Sequence, residues 1–144
     1  PLPVMSAVSN ADPICSGSAT DIDVLSSLTD AGNVTIVLDA VNNTTGVTGF
    51  SSPGLVLSPN DNIADVLINT TSSPVTLTYD FSVFYKACDD KAAALTYTAD
   101  VTVNPNPVLT VGTTPAEVCS DDGFTFDVTS ATVNNVLSLV TLSS

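Results

Sequence analysis

Carboxylate oxygen is the main chemistry that this chain offers. The 144 residues include 15 acidic side chains against two lysines, with no arginine and no histidine. Calcium prefers carboxylate and amide oxygens, and aspartates occur beside asparagines or as pairs. The candidate ligands are Asp61, Asp89, Asp90, Asp121 and Asp122. We prefer the alternative that these residues shape turns, since no D-x-D-x-D loop ending in Glu is present. We therefore expect no metal and no cofactor.

A pair of carboxylates two residues apart, Asp21 and Asp23, suggests glycosidase chemistry, which uses two acids. No histidine is available as a base near neutral pH, and no nucleophile–base constellation is visible. An open acidic strand face is the simpler interpretation, because charges on exposed strands oppose aggregation. The sequence thus predicts that the protein is not an enzyme.

The charge and the hydropathy pattern also limit the partners. A formal net charge of -13 is the opposite of what phosphate contacts require, so nucleic acid is not expected as a partner. No segment reaches the roughly 20 apolar residues of a membrane helix, so we expect no membrane insertion. At 44% hydrophobic residues the chain can still build a core.

Three cysteines carry the remaining chemistry. Cys15 precedes the strand predicted at 20–26, and Cys88 follows the one that ends at residue 85. We predict a disulfide between them at one end of the domain, with Cys119 unpaired within the chain. On the chain-entropy model such a bridge stabilises by roughly 4 kcal/mol. The alternative is that all three are free, buried thiols, because spacing alone does not fix connectivity.

The elements that must position these residues are β-strands. Val and Thr dominate, strong helix formers are scarce, and Asn, Asp, Gly and Pro interrupt the chain at short intervals. Period-2 alternation predicts strands at 20–26, 33–40, 55–57, 63–69, 75–85 and 95–103, with a first strand near 4–8. About seven strands in roughly 100 residues are typical of an all-β, immunoglobulin-like antiparallel β-sandwich. The tryptophan of immunoglobulin cores is absent, and Tyr79 or Phe81 is expected to fill its place.

The sequence also repeats itself at a fixed offset. Pro1, Pro3, Val4 and Cys15 recur 104 residues later as Pro105, Pro107, Val108 and Cys119, without a gap in register. We interpret 1–104 as a complete repeat and 105–144 as the N-terminal part of a second one, cut from a tandem array. The alternatives are that 105–144 packs on the first unit or pairs with another chain. The predicted linker is the proline-containing run Asn104, Pro105, Asn106 and Pro107, which favours a semi-rigid spacer.

These motifs together resemble a known family. The resemblance is carried by Pro1 and Pro3, Ile14-Cys15-Ser16-Gly17, the late Cys88, and the closing Val101-Thr102-Val103-Asn104-Pro105. They are similar to the PKD-like and immunoglobulin-like repeats of giant Bacteroidetes cell-surface adhesins, of the SprB-like gliding-motility type exported by type IX secretion. The chain departs from that pattern in lacking the core tryptophan and a glycine beside the late cysteine.

The resemblance implies a structural repeat of a long extracellular adhesin or filament at the bacterial surface, serving attachment and gliding. Its partners would be neighbouring repeats of the same polypeptide, and surface polysaccharide or the secretion and motility machinery. The runner-up hypothesis is a module that binds carbohydrate or protein directly through its loops.

Overall fold

The computed structural model describes residues 3–28, 32–86, 97–112, 123 and 127–131. Within these ranges every regular element is a β-strand, which confirms the all-β prediction. The strands are β1 (Met5–Ser9), β2 (Ile14–Cys15), β3 (Ile22–Ser26), β4 (Val34–Asn42), β5 (Val47–Thr48), β6 (Val56–Leu57), β7 (Asp61–Ile63), β8 (Ile68–Asn69), β9 (Val75–Tyr85), β10 (Tyr97–Asn104), β11 (Leu109–Val111) and β12 (Val128–Ser130).

Two sheets form a sandwich. One has three strands in the order β1-β3-β7, and the other has five in the order β2-β10-β9-β4-β6. All neighbours in both sheets are antiparallel except β2 and β10, which are parallel. Short pairs, β5 with β8 and β11 with β12, complete the described strands. This is the arrangement expected of an immunoglobulin-like sandwich.

The core lies between the sheets, and strand alternation decides which residues enter it. In β9 the odd-numbered side chains from Leu77 to Val83 are buried, and the even-numbered ones point outward. Tyr79 and Phe81 are fully buried, which confirms that aromatic residues of this strand occupy the centre of the core. The other fully buried large side chains are Ile22, Val24, Val34, Ile36, Leu38, Leu67, Leu77, Val101 and Val103.

The structure differs from the predicted strands mainly at 63–69. This segment is divided into β7, which pairs with β3, and β8, which pairs with β5. Asp65 lies between them, and its carboxylate receives hydrogen bonds from other parts of the chain. Strands β2 and β5 have two residues each and were not predicted, because so short a strand shows no alternation, whereas β6 lies within the strand predicted at 55–57. In β4 the register shifts between Leu38 and Ala40, so Asp39 lies at an irregularity in the ladder.

The first strand of the sandwich, β1, begins at one end of the sandwich, and the last strand, β10, ends at the opposite end. β1 begins level with the end of β3, since Met5 pairs with Ser26. β10 ends level with the beginning of β9, since Val103 pairs with Val75. The chain enters at the pole where β3 leads into β4 and leaves at the other one. We call these the entry pole and the exit pole.

Candidate functional site

The candidate calcium ligands fall into two groups. Asp61 is exposed at the start of β7, and its Oδ2 accepts a hydrogen bond from the Ser58 backbone N–H at 2.7 Å. That contact closes a local turn, as the preferred interpretation of this aspartate required. Asp89, Asp90, Asp121 and Asp122 lie outside the described residues. Among the described ones, no cluster of three or more Asp, Glu, Cys or His side chains is placed to hold a metal ion.

The carboxylate pair Asp21 and Asp23, of which Asp21 immediately precedes β3 and Asp23 belongs to it, lies on the outer face of the three-stranded sheet. The Asn62 side-chain amide donates to both carboxylates, at 2.6 Å to Asp21 Oδ1 and 2.9 Å to Asp23 Oδ1. Asn10 Nδ2 donates to the other oxygen of Asp23 at 2.8 Å. The hydrogen bonds from Asn62 and then Asn10 lower the pKa of Asp23. A glycosidase needs one carboxyl group kept protonated, and the pKa of Asp23 moves in the opposite direction.

Cross-strand pairs cover the outer face of the five-stranded sheet. Each pair joins side chains of neighbouring strands: Thr76 with Thr102, Thr78 with Asp100, Asn42 with Asp80, and Ser82 with Asp39, at 2.7 to 3.0 Å. Such pairs stabilise a sheet by a few tenths of a kcal/mol to about 1 kcal/mol each. The hydroxyl, amide and carboxylate groups of these pairs are therefore already hydrogen-bonded to one another.

The three tyrosines do not form a platform for sugar stacking. Tyr79 is fully buried, while Tyr85 and Tyr97 are half-buried and pack against the core. Their odd-numbered register predicts this position, because it is shared with the inward-facing leucines and valines of β9 and β10.

Asp65 is a site that the sequence reasoning missed. Its carboxylate accepts hydrogen bonds from the Ser51 N–H and hydroxyl, both at 2.6 Å, and from the Tyr79 hydroxyl at 2.9 Å. Burial, the negative charge of Asp65 and this hydrogen bond all raise the pKa of Tyr79. The sequence contained one signal for such a site, the predicted core residue Tyr79, because a buried tyrosine hydroxyl requires a hydrogen-bond partner.

A second unpredicted site surrounds Asn69 near the exit pole. This buried amide donates from Nδ2 to the carbonyls of Ser73 and Val103, both at 2.8 Å. Its Oδ1 accepts from the Thr71 N–H at 2.8 Å and the Thr71 hydroxyl at 2.7 Å. Asn69 thereby ties β8 and the following turn to the end of β10.

Further hydrogen bonds fix the last residues of β10. The Thr102 N–H donates to Asp12 Oδ1 at 2.7 Å, and the Ser16 N–H donates to the Asn104 carbonyl at 2.8 Å. The predicted linker therefore starts from an anchored residue, since Asn104 belongs to β10. Pro105 is half-buried, and Asn106 and Pro107 are exposed.

Cys15 lies at this same pole. It is exposed, its thiol is free, and it pairs with Asn104 in the parallel β2–β10 ladder. Cys88 and Cys119 lie outside the described residues, so the bond between Cys15 and Cys88 stays a prediction.

The described strands show how far Cys15 lies from the end of β9, the strand that precedes Cys88. Cys15 is level with the beginning of β9, and β9 then runs ten residue steps from Val75 to Tyr85. Ten steps of strand span about 33 Å, so Cys15 lies at the pole opposite to the end of β9. The bond between Cys15 and Cys88 stays a prediction, because Cys88 lies outside the described residues.

The pair β11–β12 reproduces the pair β1–β3. Leu109 pairs with Ser130, and Met5 pairs with Ser26, which are the positions 104 residues earlier. The next two rungs of the ladder correspond in the same way, and the Gly112 N–H donates to the Asp127 carbonyl at 2.7 Å where Val8 faces Asp23. The sequence repeat is thus matched by a repeat of strand register.

Comparison with known proteins gives one family. The model of a PKD-like domain matches residues 12–107. No curated protein and no solved structure matches the chain. In the part of the chain that the structure describes, no helix is long and apolar enough to cross a membrane.

Proposed function

The chain belongs to the PKD-like domain family, and from this premise we propose that it is a structural repeat of a long extracellular adhesin or filament. A PKD-like domain fits an extracellular structural module, and domains of this kind are typically non-catalytic. The proposed unit is 1–104, with 105–144 as the beginning of the next. Its immediate partners are neighbouring repeats of the same polypeptide.

The register of β11–β12 is the observation that carries this proposal. Two strands with the pairing of β1–β3 follow the end of β10 after a short proline-containing segment. Because β1 starts at the entry pole and β10 ends at the exit pole, successive units of this kind extend head to tail. Stability is then close to a sum over units and their interfaces.

Anchoring of the exit pole supports a mechanical role. Tension on the chain enters the sandwich through β10, and the last three residues of that strand are bonded to Asp12, Ser16 and Asn69. These hydrogen bonds keep β10 in the sheet when the next unit is pulled.

We further propose that the parent protein is exported by type IX secretion and serves surface attachment and gliding. The test uses intact cells of the source organism with an antibody raised against the 144-residue chain. We expect surface labelling that external protease removes, and a deletion strain with weaker attachment and slower gliding. Labelling confined to lysed cells would contradict the surface location. Normal attachment and gliding in the deletion strain would contradict the adhesin role.

A further inference from the structure

The β11–β12 pair exposes an apolar face whose counterpart in the first unit is buried. By strand alternation one face carries Leu109, Val111, Val128 and Ser130, and we call it the inner face of β11–β12. Leu109, Val111 and Val128 are 44%, 56% and 37% exposed. Their counterparts 104 residues earlier are Met5, Ala7 and Val24, of which Met5 is 3% and Val24 0% exposed.

The opposite face is polar, so the two faces are not equivalent. Thr110 and Thr129 pair across it, where the first unit has the exposed residues Ser6 and Leu25. The pair therefore has the one-sided pattern of a sheet that packs against a second layer. In the first unit that layer is the five-stranded sheet, whose core positions include Ile36, Tyr79 and Val101.

We propose that the inner face of β11–β12 is a docking surface for a sheet of the β4–β9–β10 type, supplied by the second half of a repeat with this sequence pattern. The inference rests on the proposed tandem organisation and names the partner that completes its second unit. The shared register argues for this occupant, because strands with the same pairing and the same inward residues present the same surface to a covering sheet.

The experiment completes the second unit with this protein's own strands. Ser144 aligns with Ala40 at the 104-residue offset, so the full chain is extended at its C-terminus with a copy of residues 41–107. Hydrogen exchange is followed at residues 109–111 and 128–130 in the original and the extended chains. We expect exchange there to slow by about a hundredfold or more on extension, because the strands become part of a cooperative unit. Exchange at β3 in the same sample reports that the first unit is folded.

Two variants of the extended chain test which face is covered. Val128→Asp changes the inner face, and Thr129→Asp changes the neighbouring residue on the outer face. We expect Val128→Asp to abolish the slowing at 109–111 and Thr129→Asp to retain it. No slowing on extension, or equal behaviour of the two variants, would overturn the proposed docking. Those results leave the cell-surface test unaffected, so a failure of docking is distinguishable from a failure of the adhesin function.

Discussion

Two polar side chains connect distant parts of this apolar core. Asp65 accepts hydrogen bonds from Ser51 and Tyr79, and Asn69 bonds to the carbonyl of Val103. Buried polar groups are costly unless they are bonded, and every buried side-chain nitrogen and oxygen in the described part of the chain has a partner. At the residue scale, a few hydrogen bonds that alternation does not predict therefore help to determine which segments meet in the core.

Replacing the Tyr79 hydroxyl tests the first of these contacts. Tyr79→Phe removes the hydrogen bond to Asp65 and leaves the ring in place, so we expect a loss of about 1–2 kcal/mol in the free energy of unfolding. Urea denaturation near neutral pH measures it. Tyr97→Phe, a half-buried tyrosine on β10, is the matched control and should change stability less.

Tyr79 also predicts how stability changes with pH. Its pKa is raised in the folded state, whereas an unfolded tyrosine titrates at about 10. The stabilisation is fully present below pH about 10 and is lost as the pH rises further, because the unfolded state loses its proton first. Thermal denaturation between neutral and alkaline pH should show a smaller alkaline loss in Tyr79→Phe. An equal loss in both proteins would contradict the assignment to Tyr79.

The position of Cys15 predicts its reactivity. Because its thiol is exposed at the exit pole, iodoacetamide should label Cys15 in the native, unreduced chain, with mass spectrometry identifying the peptide. Cys15→Ser should leave the melting temperature unchanged. Labelling of Cys15 only after reduction, together with a lower melting temperature of Cys15→Ser, would instead support the disulfide with Cys88 that the sequence predicts.

At the scale of elements, very short strands and close backbone contacts hold the segments between the long strands, where alternation of apolar residues does not predict the structure. β5 and β8 pair through two residues each, and Gly49 follows β5 where the chain passes close to the backbone of Val66. Asn69, at the end of β8, bonds to the end of β10. The segment between β7 and β9, which contains Asn69, therefore holds β10 in its sheet.

Substitution at Gly49 tests the close approach. Gly49 has φ +94, and an added Cβ would overlap the Val66 carbonyl oxygen. We expect Gly49→Ala to lower the free energy of unfolding by about 2 kcal/mol or more, from backbone strain and overpacking. Gly54→Ala is the control, since Gly54 has φ +91 and open space around it. It should lose only about 1 kcal/mol. Equal losses in denaturant titrations would show that crowding at Val66 is unimportant.

Loss of the Asn69 amide tests the anchoring of β10. Asn69→Ala leaves the buried carbonyl of Val103 without this donor, so we expect a loss of about 2–3 kcal/mol. Hydrogen exchange should also quicken at residues 102–104 before the rest of the sandwich. Asn62→Ala removes an exposed amide and should cost less than about 1 kcal/mol. Unchanged exchange at 102–104 would contradict the anchoring role.

At the scale of the whole molecule, charge is the dominant feature. Fifteen acidic side chains are offset by only two lysines, which gives a formal net charge of -13. Like charge keeps proteins soluble and separate, and it also destabilises the compact state by self-repulsion. In a head-to-tail array the same charge is present on every unit and opposes lateral association.

Screening should therefore stabilise the chain. Between about 10 mM and 150 mM salt the Debye length falls from about 30 Å to about 8 Å, and we expect the melting temperature to rise by about 5 °C, corresponding to about 1 kcal/mol. Differential scanning calorimetry measures it. Calcium and magnesium chloride at equal ionic strength should give equal shifts. An additional rise with calcium that EDTA reverses would reveal a specific site and contradict this prediction.

The sequence by itself determined the fold class, the inward faces of the long strands and the 104-residue period. Alternation is a local property: in β9 it placed Leu77, Tyr79 and Phe81 in the core, because successive side chains of any strand point to opposite faces. The repeat was readable because it compares residue types alone, and the register of β11–β12 now corresponds to it.

Only the tertiary structure decided which residues meet across long separations. Tyr79 finds Asp65 fourteen residues away, Asn69 finds Val103 thirty-four residues away, and Ser16 bonds to Asn69 across fifty-three. Such hydrogen bonds depend on the order of strands and on where each strand starts and ends, and no local pattern specifies either. For the same reason, the positions of Cys15 and Cys88 next to strands did not specify the pole on which Cys15 lies, which follows from its pairing with Asn104.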